Sequence, residues 1–586
     1  MKEHLEELLL DSIDALRESG ELAIDTVPGF VIERTRNPAH GDFASNAALL
    51  LGKAAGRNPR GVAEALVANL KASNRVVAVE IAGPGFINFR LDPSVRAESL
   101  NDAHALGERY GFAPTNSHEP VLVEFVSANP NGPLHVGHGR GAAYGASLAN
   151  LLEAAGHRVE REYYVNDAGR QMDILAISVW LRYLEQFGEP VRFPDNGYRG
   201  DYVNDIAARL REAHGESLRL PGATVFNDVP ADETQGGDKE AHVDALIARA
   251  RVLLGEEAYA RLHAAGLSEC IADIREDLAG FGVRIDRWFS EKSLATSGAI
   301  DRAVARLREA GHMFEEGGAL WFRATTFGDD KDRVVVRENG ATTYFASDIA
   351  YLLDKLERGY ARAIYVLGAD HHGYVARLKA AALGLGLDPQ RVEVLLVQFA
   401  ILFENGQRVQ MSTRAGSFVT LRQLRNDVGR DAARCFYVLR SHEQHLDFDL
   451  DLARSQSNDN PVYYVQYAHA RICALFRQLR EKGLGYDAAR GAEAAARLIE
   501  PQERELLDWL MHWPETLSGA AQSRSPQVVF AALRELAASF HSFYNAVPIL
   551  GAEDELRHAR LYLCEAVRGP LVGGLAMLGA SAPETM

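Results

Sequence analysis

The chain has little of what would staple or anchor a protein from outside its core. Only four of its 586 residues are cysteines, Cys270, Cys435, Cys473 and Cys564, and no two form a Cys-x-x-Cys pair. That spacing argues against a disulfide framework and against structural zinc, and it fits a reducing compartment. No uninterrupted apolar run is long enough to span a bilayer. The opening segment MKEHLEELLLDSIDALRESG reads as an amphipathic surface helix, with Leu5, Leu8, Leu9, Ile13 and Leu16 inward, and not as a signal peptide. A cytoplasmic protein without a membrane partner is the expectation. Positive charge is also scarce, with 63 Lys and Arg against 80 Asp and Glu, a formal net charge of −17. As a total this counts against nucleic-acid binding, which needs cations at phosphates. Binding follows the local field, however, and Arg471, Arg477 and Arg480 lie along one stretch.

What is present is ordinary for a globular protein: 47% hydrophobic and 24% charged residues, and length for roughly three or four domains. Residues 1–112 alternate helical patterns with short strands (VVAVEIAG, FINFRL) and form an α+β unit. From 113 to 455 strands alternate with helices, the mark of βαβ units and a parallel sheet. VLVEFV and REYYVND carry the first half; ALWFRA, RVVVRE, TTYFAS, AIYVLGADHHGY and VEVLLVQFAILF carry the second. Between them, about 190–290, lies an insertion whose middle, FNDVPADETQGGDKEAH, reads as a mobile polar loop. Residues 456–586 show only helical spacing. The expected fold is therefore α/β: a split Rossmann-type parallel sheet between an α+β N-terminal domain and an all-α C-terminal domain.

The richest segment is Val121–Tyr144, VLVEFVSANPNGPLHVGHGRGAAY. A strand, an Asn-Pro loop, two histidines (His135, His138) and a small-residue helix put polar groups at a helix N-terminus, where a phosphate is favoured. Gly137 lets a ligand approach the backbone. On their own, paired histidines are also common as surface residues or metal ligands. Gly368-Ala369-Asp370-His371-His372-Gly373 follows a strand; Asp370 can accept from ribose hydroxyls, and the same Asp-His-His string could bind metal. Gln410-Met411-Ser412-Thr413-Arg414-Ala415-Gly416-Ser417 follows a hairpin, ILFENGQRV, and read alone is an Arg-containing surface loop.

Together these strings resemble class I aminoacyl-tRNA synthetases, and SANPNGPLHVGHGRG is similar to the arginyl members. His135-Val136-Gly137-His138 resembles the HIGH signature, and Gln410–Arg414 a degenerate KMSKS loop with Gln410 and Thr413 in place of lysines. Gly132 stands where some members carry a compensating lysine. The likeness extends from HGDFASN and GPGFINF, through GRDAAR, LDFDLDLA and NPVYYVQYAHARI, to LGASAPETM. It implies a ligase that joins L-arginine to tRNA(Arg), uses ATP with Mg²⁺, depends on tRNA for activation and acts as a monomer. The implied catalytic residues are His135, His138 and Arg414, with Arg408 as second candidate for the missing charge. ATP would meet His135, Gly137, His138, Gly368, Asp370, His371, Met411 and Ser412. A planar, permanently charged guanidinium needs fixed carboxylates. The resemblance implies Glu124 and Asp348 for substrate arginine, with Ser127, Asn129, Tyr344 and His372 in support. From the residues alone Asp348 reads equally as a helix N-terminal charge and Tyr344 as core, while Glu124, in an apolar strand, requires a partner. Residues 415–455 match a stem-contact region and 456–586 an anticodon-binding domain, with Tyr463, Gln466, Tyr467 and Arg471 toward tRNA; the N-terminal domain is implied to contact its outer corner. FHSFYN (540–545) reads as a second aromatic patch or as core.

The rivals are a cysteine or glutamate synthetase, a small-molecule adenylating ligase, and an impaired tRNA-binding paralogue. Clustered cysteines, and Arg or Lys in place of Glu124 and Asp348, would favour the first two amino acids. A small-molecule ligase would not need the helical tail.

Overall fold

The computed structural model describes residues 1–35, 37–409 and 419–586. At its centre lies a five-stranded parallel sheet of β1 (His118–Glu124), β2 (His157–Val165), β3 (Arg287–Ser290), β4 (Arg362–Gly368) and β5 (Val392–Val397), in the order β3-β2-β1-β4-β5. The order reverses between β1 and β4, so the crevice beyond their carboxyl ends is the natural ligand site of such a sheet. β1 ends two residues before the apolar run does. Val126 and Ser127 take φ of +70° and +40°, and the Ser127 N–H bonds back to the Phe125 carbonyl. A γ-turn of this hand at a β-branched residue is strained by about 1–3 kcal/mol. It stands at the mouth of the crevice.

The loop after β1 leads into α1 (Val136–Ala154). Its small residues let it lie close on the sheet: a Cβ at Gly145 would come within 2.4 Å of the Phe125 side chain. Buried Arg140 fixes the same helix to the second half of the chain by donating to the carbonyls of Gln398, Ser441 and Gln444. The insertion is helical and contains α2 (Lys239–Gly280), broken at Gly255, φ +75°. Its polar middle, read from the sequence as a mobile loop, is a loop with local hydrogen bonds. Asp232 accepts from the N–H groups of Glu233 and Asp195, Gly237 bonds the Asp232 carbonyl, and Asp238 caps α2.

Two further expectations change. ALWFRA and RVVVRE form strands, but in a separate antiparallel sheet with Met313–Glu316. TTYFAS is not a strand: Thr343 is the N-cap of α3 (Tyr344–Glu357), because Phe345, Ile349, Leu352, Leu353 and Leu356 recur at helical spacing and bury one face. The Asn405-Gly406 hairpin forms as expected between β6 (Ala400–Glu404) and β7 (Gln407–Arg408), with φ of +52° and +72°. α4 (Leu421–Val428) follows.

The C-terminal region is a helical bundle that includes α5 (Pro501–Gln522). The N-terminal unit, with its own four-stranded antiparallel sheet, rests on that helix. Met511 enters its core, Arg96 pairs with Asp508 at 2.6 Å, and Trp513 Nε1 and the Tyr110 hydroxyl bond each other's backbone neighbourhood, at the Tyr110 and Leu510 carbonyls.

Gly145→Val is expected to destabilise the chain by about 2 kcal/mol through overlap with Phe125. A lower urea midpoint at unchanged m-value checks this, and an unchanged midpoint contradicts the close packing.

Candidate active site

At the start of α1 the two histidines cap the helix. His135 Nδ1 accepts from the Gly137 N–H at 3.0 Å, and His138 Nδ1 faces the His135 N–H at 3.3 Å. The rings stack with centroids 3.8 Å apart. Because both Nδ1 atoms accept, both rings carry their proton on Nε2. Burial lowers the His135 pKa; burial and then the neighbouring His135 push that of His138 down to about 3. The pair is therefore neutral in the free protein, and acts on an anion through two N–H dipoles and the helix N-terminus. Gly137 is required, since a Cβ there would lie 2.7 Å from His135 Cε1.

The segment that closes this cap comes from far along the chain. Val136 N–H donates to Val419 and Leu421 N–H to Leu134, so residues 419–421 flank His135. Arg422, one residue into α4, holds Asp277 and Asp273 of α2, each at 2.7 Å. The insertion thereby buttresses the histidine cap. It also holds the Asn-Pro loop: Tyr202 donates to the Asn131 carbonyl at 2.6 Å and Asn131 Nδ2 to Tyr198 at 2.8 Å. A Cβ at Gly132 would meet the Tyr202 hydroxyl at 3.1 Å, so the loop and this tyrosine are closely packed.

At the carboxyl end of β1 lies a cluster of acids. Asp348, on the first turns of α3, has one oxygen sealed from solvent without a hydrogen-bond partner, and so does Glu291 after β3. Burial raises both carboxyl pKa values, Asp348 to about 7, with Arg377 opposing and Glu291 and Glu124 adding to the rise. Tyr164 sits among Glu291, Asp348, Glu124 and Asp167. Glu124 already has its partners: Ser127 Oγ donates to Oε1 at 3.0 Å, and the buried ammonium of Lys355 bonds Oε2. Sequence reading missed Lys355 and Glu291. Lys355 lies seven residues after Asp348, two turns along the same face, which is the signal that was available.

Comparison with known proteins decides what this crevice belongs to. Three family profiles match in succession: the arginyl tRNA synthetase N terminal domain over residues 3–91, the class I (R) tRNA synthetase catalytic domain over 101–189 and 278–446, and the DALR anticodon binding domain over 465–586. An arginine–tRNA ligase of Thioalkalivibrio sulfidiphilus is 57% identical over 586 residues, covering 100% of both chains, and one of Legionella pneumophila is 53% identical with the same coverage. The chain belongs to the arginyl-tRNA synthetase family. Its fold is also that of the Thermus thermophilus arginyl-tRNA synthetase, at a TM-score of 0.74, 24% identity and full coverage of both chains.

Within this synthetase fold the expected residues are distributed unevenly. Glu124, Ser127, Asp348, His135, Gly137 and His138 gather around the crevice. Asn129 is exposed and accepts from Asn166 at 3.1 Å; Tyr344 is 60% exposed at the head of α3. Gly368 ends β4, next to the exposed Asp370, His371 and His372, and His371 lies 3.7 Å from Asp370. Met411, Ser412 and Arg414 lie outside the described residues; Arg408, on β7, is exposed. Among the tRNA-facing candidates Tyr463 and Tyr467 stack at 6.2 Å, and Arg471 lies over Tyr467 and Tyr544. Gln466 is buried, and its amide donates to Asp431 and to the Ser581 carbonyl, so it is taken up inside the fold and not presented outward. Phe540 and Phe543 of FHSFYN are core.

A depressed histidine pKa means that the unfolded chain binds the extra proton first. The contribution of His138 to stability is complete above about pH 6.5 and is lost as pH falls toward 3. His138→Gln is expected to remove up to about one proton from the uptake on unfolding near pH 5, read as a shallower pH dependence of the urea midpoint.

Proposed function

We infer that the chain catalyses the ATP-dependent ligation of L-arginine to tRNA(Arg), and that the crevice between β1 and β4 is where arginine is activated. The observation that carries the residue assignment is the pair of sealed, unpartnered carboxylate oxygens on Asp348 and Glu291. A buried acid without a donor is costly, and a permanently charged planar fork with five N–H groups supplies what is missing. We place the guanidinium against Asp348 and Glu291, with Glu124 and Tyr164 behind it, and Ser127, Asn129, Tyr344 and His372 around the backbone end of the substrate.

The arginine carboxylate then attacks the α-phosphorus of ATP. Pyrophosphate leaves, and arginyl-adenylate forms. A terminal adenosine hydroxyl of tRNA next attacks the activated carbonyl and expels AMP. The chain contributes alignment and fixed dipoles more than covalent chemistry. His135 and His138 donate from Nε2 to phosphate oxygens, the α1 N-terminus adds its partial charge, and Gly368, Asp370 and His371 hold the nucleoside side. A developing phosphate charge beside the histidines raises their pKa, so protonation can follow binding. Mg²⁺ arrives on the ATP phosphates. Arg414, supported by Met411, Ser412 and Arg408, supplies charge on the pyrophosphate side.

Tyr463, Tyr467 and Arg471 face unstacked tRNA bases, as aromatic and guanidinium planes do; the N-terminal unit meets the outer corner of the tRNA. No helix among the described residues is long and apolar enough to cross a membrane. We place the protein in the cytoplasm as a monomer.

ATP–pyrophosphate exchange over all amino acids, with and without tRNA(Arg), tests the activity; absence of exchange with arginine plus tRNA sinks it. For the pocket, Asp348 ionises near pH 7 in the free protein and binds a cation only when ionised. The kcat/KM for arginine is expected to rise with pH to a break near 7, and Asp348→Asn to abolish the break while lowering kcat/KM by about a hundredfold or more. An unchanged profile removes Asp348 from the pocket. Arg471→Ala is expected to raise the KM for tRNA about three- to tenfold with little change in the KM for arginine, which aminoacylation kinetics read directly.

A further inference from the structure

The register of the sheet places Glu124 beside Glu162 on neighbouring parallel strands, with Tyr365 next in the row. Both side chains are buried, and adjacent like charges on one sheet face repel. α3 covers that face and carries the cations. Arg358 forks onto both oxygens of Glu162, at 2.6 and 3.0 Å, and the Tyr351 hydroxyl adds a bond at 2.7 Å. Lys355, with no exposed surface, bonds Glu124 Oε2 and lies 4.0 Å from Glu162 Oε1. Its ammonium sits over the rings of Tyr351 and Tyr365, at 4.0 and 3.6 Å from their centroids.

Glu162 therefore has a full partner of its own without Lys355, whereas among the described residues Glu124 is bonded by Lys355 and the Ser127 hydroxyl. Of the acids in the cluster, Glu124 is the one whose position is set by an internal cation; Asp348 and Glu291 keep an oxygen free. We propose that Lys355 is a positioning residue for arginine recognition, an internal cation that holds the Glu124 carboxylate in place behind the guanidinium site. It touches neither substrate nor ATP; it acts through Glu124. Asp348 and Glu291 thus each keep one carboxylate oxygen without a donor, whereas both oxygens of Glu124 are engaged. The inference rests on the arginine-activating reading above.

The groups facing the ammonium are Glu124 from β1, Glu162 from β2, Tyr365 from β4, and Tyr351 and Arg358 from α3; of the other acids on that helix, Asp354 is taken up by Arg358 at 2.9 Å.

The test uses the full-length protein in arginine-dependent ATP–pyrophosphate exchange with tRNA(Arg). Lys355→Met is expected to raise the KM for arginine about tenfold or more while the KM for ATP stays within about twofold. Lys355→Arg should recover part of the affinity. Should Lys355→Met fail to fold, the pair Glu124→Gln and Glu124→Gln/Lys355→Met decides, since removing both buried charges is commonly tolerated. If Lys355 works only through Glu124, the double variant has the same arginine KM as Glu124→Gln. An arginine KM that does not move in folded Lys355→Met, arginine and ATP KM values that rise together, or a further threefold rise in the double variant each overturns the proposal. Absence of exchange in the parent protein overturns the arginine-activating reading instead.

Discussion

Two carboxylates abreast on a buried sheet are tolerable only if cations are delivered to the same face. Glu124 and Glu162 impose that demand, and α3 meets it with Lys355 and Arg358. The rest follows from the docking. With α3 seated, Asp348 is carried to the switch point of the sheet, where the strained turn at Val126 and Ser127 brings the Ser127 hydroxyl back onto Glu124. Removing one member of such a network leaves an uncompensated charge, typically at a cost of about 3–5 kcal/mol, so the sheet, the helix and the acid cluster are settled together.

The two sides of the crevice are built with opposite economy. At the cap the histidines are stripped of charge, and the chain offers dipoles there, the helix N-terminus among them. Around Asp348 and Glu291 acids are left short of donors. A cationic side chain and a polyanion are the ligands that such a pair of surfaces would complement, as the proposed function has it. The insertion, although outside the catalytic profile match, braces both sides, through Arg422 at the cap and Tyr198 and Tyr202 at the Asn-Pro loop.

Much of this was legible in the residues. The strand–loop–helix of Val121–Tyr144, the Asn405-Gly406 hairpin and the helical C-terminal region follow from local periodicity and turn chemistry, and the structure carries them. The demand that Glu124 have a partner was legible too, but its identity was not, because Lys355 lies 231 positions away and only the sheet register brings them together. Glu291 had no local mark, being an acid at the end of a short strand. TTYFAS reads as a strand by composition, yet one buried face at helical spacing outweighs β-branched propensity. The polar stretch 226–242 looked mobile because side-chain capping by Asp232 and Asp238 is invisible in a composition of Gly, Asp and Glu.

The N-terminal unit sits on α5, and this has a consequence for the order of events during synthesis. Its own sheet and helices leave the ribosome first, whereas Asp508, Met511 and Trp513 emerge some four hundred residues later. At translation rates of about 5–20 residues per second, the nascent unit waits on the order of tens of seconds with that face uncovered. Until then Met511 is missing from its core and Arg96 lacks Asp508, so a helix made late in synthesis completes the packing of a unit made early.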